Sequence, residues 1–231
     1  MKKTYCLAAT AAVVLLGAVH GQAQSVTFNF QDNTDDGFGL KFSNDASASF
    51  SIVNIGGSLR MQVPRTGAFQ EADRASQGSD SFLAAMQAAM LNPSGYKLSY
   101  DWYVDPTLSP GNNGTFLQLG SYINSGSGSY AQNFPATGKE VELNGTQLSG
   151  TQVIQGTVSE TFAAAYGDTS TFTGQSFLRL GFIENGNGTG VSVFYDNITI
   201  SPVPEPSSFA LLGLAAPLFW AARRVFPRRQ A

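Results

Sequence analysis

Two residue types that carry much of enzyme chemistry are almost missing from this chain. Its only cysteine is Cys6 and its only histidine is His20. Both fall in the first 23 residues, which read as a segment removed on export. A chain starting at Gln24 contains neither. It has no disulfide, no thiolate nucleophile, no Ser-His-Asp triad and no Cys/His zinc site. Carboxylate chemistry and oxygen-ligated calcium remain open. The lack of Cys does not identify a reducing compartment, because export permits disulfides without requiring them. Charge is scarce as well, at 13% of the 231 residues. From Gln24 to Ser201 seven Lys and Arg face fifteen Asp and Glu, which leaves −8. That balance argues against nucleic acid, whose phosphates need clustered cations. The charges are also too dilute, and the rings too many, for a disordered acidic tail.

The hydrophobic residues gather at the two ends. Lys2 and Lys3 precede an uncharged, mostly apolar run from Tyr5 to Val19. Gly21-Gln22-Ala23 then places small residues at −3 and −1, so residues 1–23 read as a signal peptide cleaved between Ala23 and Gln24. Fifteen residues are too few for an ordinary membrane span of about 20. Cys6 lies too near the start to be a lipid-modified cysteine. At the other end Val203-Pro204-Glu205-Pro206 forms a rigid spacer, because proline fixes φ and restricts its predecessor. Residues 207–222 are uncharged and are expected to form a transmembrane helix, and Arg223, Arg224, Arg228 and Arg229 follow. Sixteen helical residues span about 24 Å, short of a core of about 30 Å. Snorkelling arginines on the cytoplasmic side close the gap and leave the main chain outside.

Residues 202–231 resemble the PEP-CTERM sorting signal of exopolysaccharide-producing Gram-negative bacteria. The likeness rests on the Pro-Glu-Pro triplet, the apolar span and the basic end in that order, with a signal peptide at the opposite terminus. It implies recognition by an exosortase, a membrane protease with a cysteine nucleophile that cuts near the triplet. It also implies passage across the cytoplasmic membrane, transient anchoring there, and release to the cell surface or matrix. It says nothing of the cargo.

Residues 24–201 read as one all-β domain, a sandwich or barrel with one short helix. Short apolar stretches separated by Gly, Asn, Ser and Pro predict strands at 25–30, 39–42, 48–53, 58–63, 96–104, 115–123, 140–143, 157–162, 177–183 and 191–200. Asn185-Gly186-Asn187-Gly188 predicts an antiparallel hairpin of the last two strands. Residues 79–90 predict a helix capped by Ser79 or Asp80, with Phe82, Leu83, Met86 and Met90 on its core face. About 178 residues bury a sandwich core without disulfides.

The opening SVTFNFQDNTDDGFG, the central YKLSYDWYVD and the closing VSVFYDNITI resemble jelly-roll carbohydrate-binding modules. That resemblance implies a structural calcium bound by Asp196, with partners among Asp32, Asp35 and Asp36 if first and last strands pair; carboxylates suit that ion. The preferred reading of the residues themselves is that Asp196-Asn197 is simply an outward polar position, so no cofactor is expected. An EF-hand reading of the run from Asp32 fails, because Thr34 and Ser43 occupy the third and twelfth ligand positions.

Two carboxylate pairs, Glu140 with Glu142 and Asp101 with Asp105, admit a glycoside-hydrolase reading. Each pair lies on or brackets one strand, whereas hydrolysis needs carboxyls flanking a substrate, so a solvated face accounts for both. Alternation from Tyr96 to Asp105 sends Leu98, Tyr100, Trp102 and Val104 inward and Ser99, Asp101, Tyr103 and Asp105 outward. Tyr103 with its two acids is thus one aromatic–acid group expected at the surface, and Tyr122, Tyr130 and Tyr166 are further exposed-ring candidates. Asn113, Asn144, Asn187 and Asn197 begin Asn-x-Ser/Thr triplets, as chance provides in so Asn- and Thr-rich a chain. The expected function is a non-catalytic, exosortase-sorted surface or biofilm-matrix protein. The alternatives are a lectin-like module that binds exopolysaccharide and a carboxylate-based glycosidase.

Overall fold

Apolar and polar side chains alternate along most of the strands, and two sheets bury the apolar sides against each other. The computed structural model describes residues 24–43, 51–63, 69–76, 78–108, 114–133, 141–187 and 192–204. The signal peptide, Glu205, Pro206, the span 207–222, the terminal arginines, Glu140 and Asn113 lie outside the described residues.

One sheet carries β10 (Ile154–Thr161), β6 (Tyr96–Val104), β12 (Val193–Pro202), β4 (Ser58–Val63) and β3 (Ser51–Ile55) in that order. β1 (Val26–Phe28) joins the far half of β12, with Val26 opposite Ile200. The other sheet runs β2 (Phe38–Ser43), β5 (Phe69–Ala75), β11 (Leu178–Gly186), β7 (Phe116–Ser125) and β8 (Tyr130–Asn133). β9 (Val141–Asn144) extends β8 along the first half of β7. The described pairings are antiparallel, and the two sheets make a jelly-roll-like β-sandwich.

Between the sheets Phe182 stacks on Tyr195 at 4.7 Å and takes the edge of Tyr100 at 4.9 Å. These contacts join the centres of the two layers. The expected hairpin of the last two strands is not formed. β11 lies in one sheet and β12 in the other, because each carries one member of this aromatic pair across the core. Asn187 is used differently: its Oδ1 accepts from Thr115 N at 2.6 Å and ties the crossing to the start of β7.

The helix α1 (Ser81–Leu91) follows β5 and leads into β6, so it closes one end of the sandwich. Asp80 caps it by accepting from Leu83 N at 2.8 Å. Phe82, Leu83, Ala85, Met86, Ala89 and Met90 are all buried, the two methionines as core filler. Among the described residues two shorter α-helices add to the single one expected in this domain: α2 (Gly145–Leu148), capped by Asn144, and α3 (Phe162–Tyr166), capped by Thr161. No helix among the described residues is long and apolar enough to cross a membrane.

Two strands were not legible in advance. β5 reads FQEADRA, and its inward positions are Gln70, Ala72 and Arg74, too polar and too small to show a period of two. β8 is only four residues long.

Candidate functional site

The outer face of the second sheet carries a cleft of about 300 Å³ lined by residues of β5, β7, β8 and β11 and of the turns beside them. Register explains its composition. Asp73, Gly181, Tyr122 and Gln132 form one row across β5, β11, β7 and β8, and Ala75, Arg179, Asn124 and Tyr130 form the next. Ala72, Phe182, Leu180, Ile123 and Leu119 occupy the alternate positions and belong to the core. The residues between them therefore face out.

Tyr130 is 47% exposed, and its ring stacks on that of Tyr122 at 5.4 Å and 30°. Tyr122 itself is covered, and it lies over Gly181, where no side chain intervenes. Its hydroxyl donates to Asp73 Oδ2 at 3.0 Å, and Arg179 Nη1 reaches the same oxygen at 2.9 Å. The Arg179 guanidinium sits over the Phe177 ring at 5.1 Å, and Phe177 in turn packs on Gly126. Burial, then the Asp73 and Glu71 charges, hold the Tyr122 hydroxyl far above the ordinary tyrosine range. Burial and Glu71 push Tyr130 up to about 12. Both tyrosines are neutral donors at physiological pH.

A second cavity, of about 310 Å³, lies on the first sheet and is lined by Arg60, Asp101, Trp102, Gln155, Gly156 and Thr157. Its carboxylate and its hydroxyl are already engaged. Asp101 accepts from Thr157 Oγ1 at 2.5 Å and from Asn197 Nδ2 at 2.8 Å, and Trp102 belongs to the core. The expectation that Tyr103 is exposed is corrected here. It faces outward but is only 7% exposed, because the Arg60 guanidinium lies 4.4 Å over its ring and Phe194 packs at 6.0 Å. Asp105 is occupied locally, accepting from Thr107 N and Oγ1.

Of the other rings expected to be exposed, Tyr130 is, whereas the expectation is corrected for two: Tyr122 is covered beneath Tyr130 in the cleft, and Tyr166 is buried and donates to Ser121 Oγ at 2.9 Å. Glu142 is exposed on β9, where Gln118 donates to it at 3.3 Å. First and last strands pair, but the aspartates do not converge as the resemblance implies. Asp32 and Asp35 accept from Thr34 N and Gly37 N inside their own loop. The charged neighbours of Asp196 are Arg60 and Asp101. Burial, with a smaller contribution from Asp101, holds the Asp196 carboxyl above the usual range. Among the described residues no three His, Cys, Asp or Glu stand close enough to hold a metal ion.

No protein-family model and no curated protein sequence matches this chain. Solved structures of similar architecture are found at low identity. One, 14% identical over 78% of this chain and 93% of its own, is a non-crystalline cellulose specific carbohydrate-binding module, CBM28, at a TM-score of 0.49. Another is a xylan-binding domain from CBM 22, 12% identical over 79% of this chain and 97% of its own, at 0.46. A third is the mannan-recognising module TmCBM27, 13% identical over 79% of this chain and 100% of its own, at 0.43.

Proposed function

We propose that this protein is an exported, non-catalytic glycan-binding module of the cell surface or extracellular matrix. Its ligand lies in the cleft on the outer face of the second sheet. The observation that carries this reading is the exposed Tyr130 ring, backed by Tyr122 and set beside Asp73, Arg179 and Asn124. A pyranose presents an apolar C–H face, which suits a ring, and a rim of hydroxyls, which needs both donors and acceptors. Arg179 supplies donors, Asp73 acceptors and Asn124 both. Asp73 is held by Tyr122 and Arg179, a fixed acceptor rather than a group that moves a proton. Glu71 and Asp73 stand two apart on one strand, on the same side of any ligand, whereas glycoside hydrolysis needs carboxyls on both sides of the scissile bond.

Full-length protein in a detergent without sugar headgroups tests the site on a glycan array and on the producer's own polysaccharide. Tyr130→Ala is expected to weaken retention about tenfold, the loss of one stacked ring. Its melting temperature should stay within about 2 °C of the parent, because the ring is half-exposed. Retention of the variant equal to the parent's would remove the cleft from the account.

Delivery to that location rests on the terminal segments. The signal peptide and the Pro-Glu-Pro signal support export, transient anchoring in the cytoplasmic membrane and processing by an exosortase. A C-terminal epitope tag is expected to disappear as the protein reaches the surface fraction. A tagged, full-length protein recovered from the cytoplasm would contradict this part.

A further inference from the structure

We infer that β10, the strand that ends the first sheet, pairs antiparallel with β10 of a second copy of this chain. A strand at the end of a sheet turns alternate N–H and C=O groups away from its neighbour, a template for any extended segment. Proteins usually blunt such an edge with lysine, proline, a bulge or a covering segment. Among the described residues β10 has none of these. No Lys, Arg or Pro occurs from Val141 to Leu178. The register of β10 with β6 runs unbroken from Ile154↔Val104 to Thr161↔Lys97, whereas the β12–β6 and β2–β5 pairings each carry an irregularity. No described backbone group bonds to β10 from its far side. Gln155, Thr157 and Ser159 are exposed, and so is the apolar Val153 just before the strand.

What fits this edge is the same edge turned about a two-fold axis through Thr157. Gln155 then stands opposite Ser159, Val158 opposite Gly156 and Val153 opposite Thr161, and each match occurs twice. Each pair joins positions an even number of residues apart, so the inner and outer faces of the two strands stay aligned. Glu160, the one charge of the strand, meets Ile154 rather than its own copy, and Asn133 Nδ2 already donates to its carboxylate at 3.1 Å. An edge so poor in charge gives a charged partner little to recognise, whereas a second copy matches it position by position. An axis normal to the first sheet leaves the direction of both outer faces unchanged, so the clefts of the two copies open to the same side. The pairing stands on the fold alone. Its use, avidity of two clefts for one polymer, rests on the glycan-binding reading.

Sedimentation of the full-length protein in density-matched detergent reads the pairing. One strand pair is a small interface, so a dimer that dissociates at about 10 µM is expected. Two double variants at exposed positions test the register. Gln155→Lys with Ser159→Lys sets lysine opposite lysine twice and should weaken the dimer at least about tenfold. Gln155→Lys with Ser159→Glu sets opposite charges at the same places and should restore it, with both variants melting as the parent does. A parent that stays monomeric at about 100 µM, a dimer untouched by the two lysines, or one weakened equally by both double variants would overturn the inference. Those results leave the glycan-binding reading intact, since oligosaccharide titration of the same proteins decides it separately.

Discussion

Arg74→Met is expected to lower the stability of the folded chain by about 3 kcal/mol, a fall in melting temperature of roughly 10 °C. Arg74 joins three parts of the sandwich. Nε donates to the carbonyl of Asp36 at 2.7 Å, which holds the loop between β1 and β2. Nη1 pairs with Asp80 at 3.0 Å, the residue that caps α1. The planar guanidinium also lies 4.8 Å from the Phe28 ring centre and 4.5 Å from that of Phe82. The loop it secures is costly to hold, with Phe30, Asn33 and Asp36 all at positive φ. Methionine fills much of the volume but leaves Asp80 without its cation and the Asp36 carbonyl without this donor. Arg74→Lys keeps the charge and loses the fork, so it should recover less than half of the loss. Thermal and denaturant melts read both, and a loss under about 1 kcal/mol for Arg74→Met would deny Arg74 this role.

Gly181→Val should cost about 2 kcal/mol of stability and about a hundredfold in glycan affinity. A Cβ at Gly181 would stand 2.2 Å from Tyr122 Cε1 and 2.3 Å from Cζ, closer than any packed pair tolerates. The Tyr122 ring must move off β11. It then loses its bond to Asp73 and no longer supports Tyr130 from beneath. The double variant Gly181→Val with Tyr122→Ala separates the two effects: removing the ring relieves the clash and restores stability, but binding stays weak. Parental affinity in the single variant would show that the Tyr122 position does not shape the site.

These two positions also mark how far the sequence could be read. The outward Tyr122 and the exposed Tyr130 were identifiable as rings beside glycine-rich turns. Glu71 and Asp73 were not, because β5 hides its alternation behind an inward Gln70, Ala72 and Arg74. Core strands such as β6 announce themselves through Leu98, Tyr100, Trp102 and Val104, all buried as their spacing requires. Tyr103 followed the same alternation but is covered by Arg60, a residue of β4 brought alongside only by the order β6-β12-β4. Asn185 to Gly188 carries the chemistry of a tight turn, yet the chain there changes sheets. Local turn propensity yields to an aromatic pair that needs one partner in each layer.

The central claim is the location of the ligand, and an NMR titration of the full-length protein with its tightest-binding oligosaccharide tests it most directly. The Asn124 side-chain amide, the Arg179 Nε–H and the Tyr130 ring are expected to shift together with one affinity. Signals of Gln155, Thr157 and Asn197, on the opposite face, should stay still. Shifts confined to those three, with Asn124, Arg179 and Tyr130 unmoved, would place the ligand on the first sheet and contradict the account.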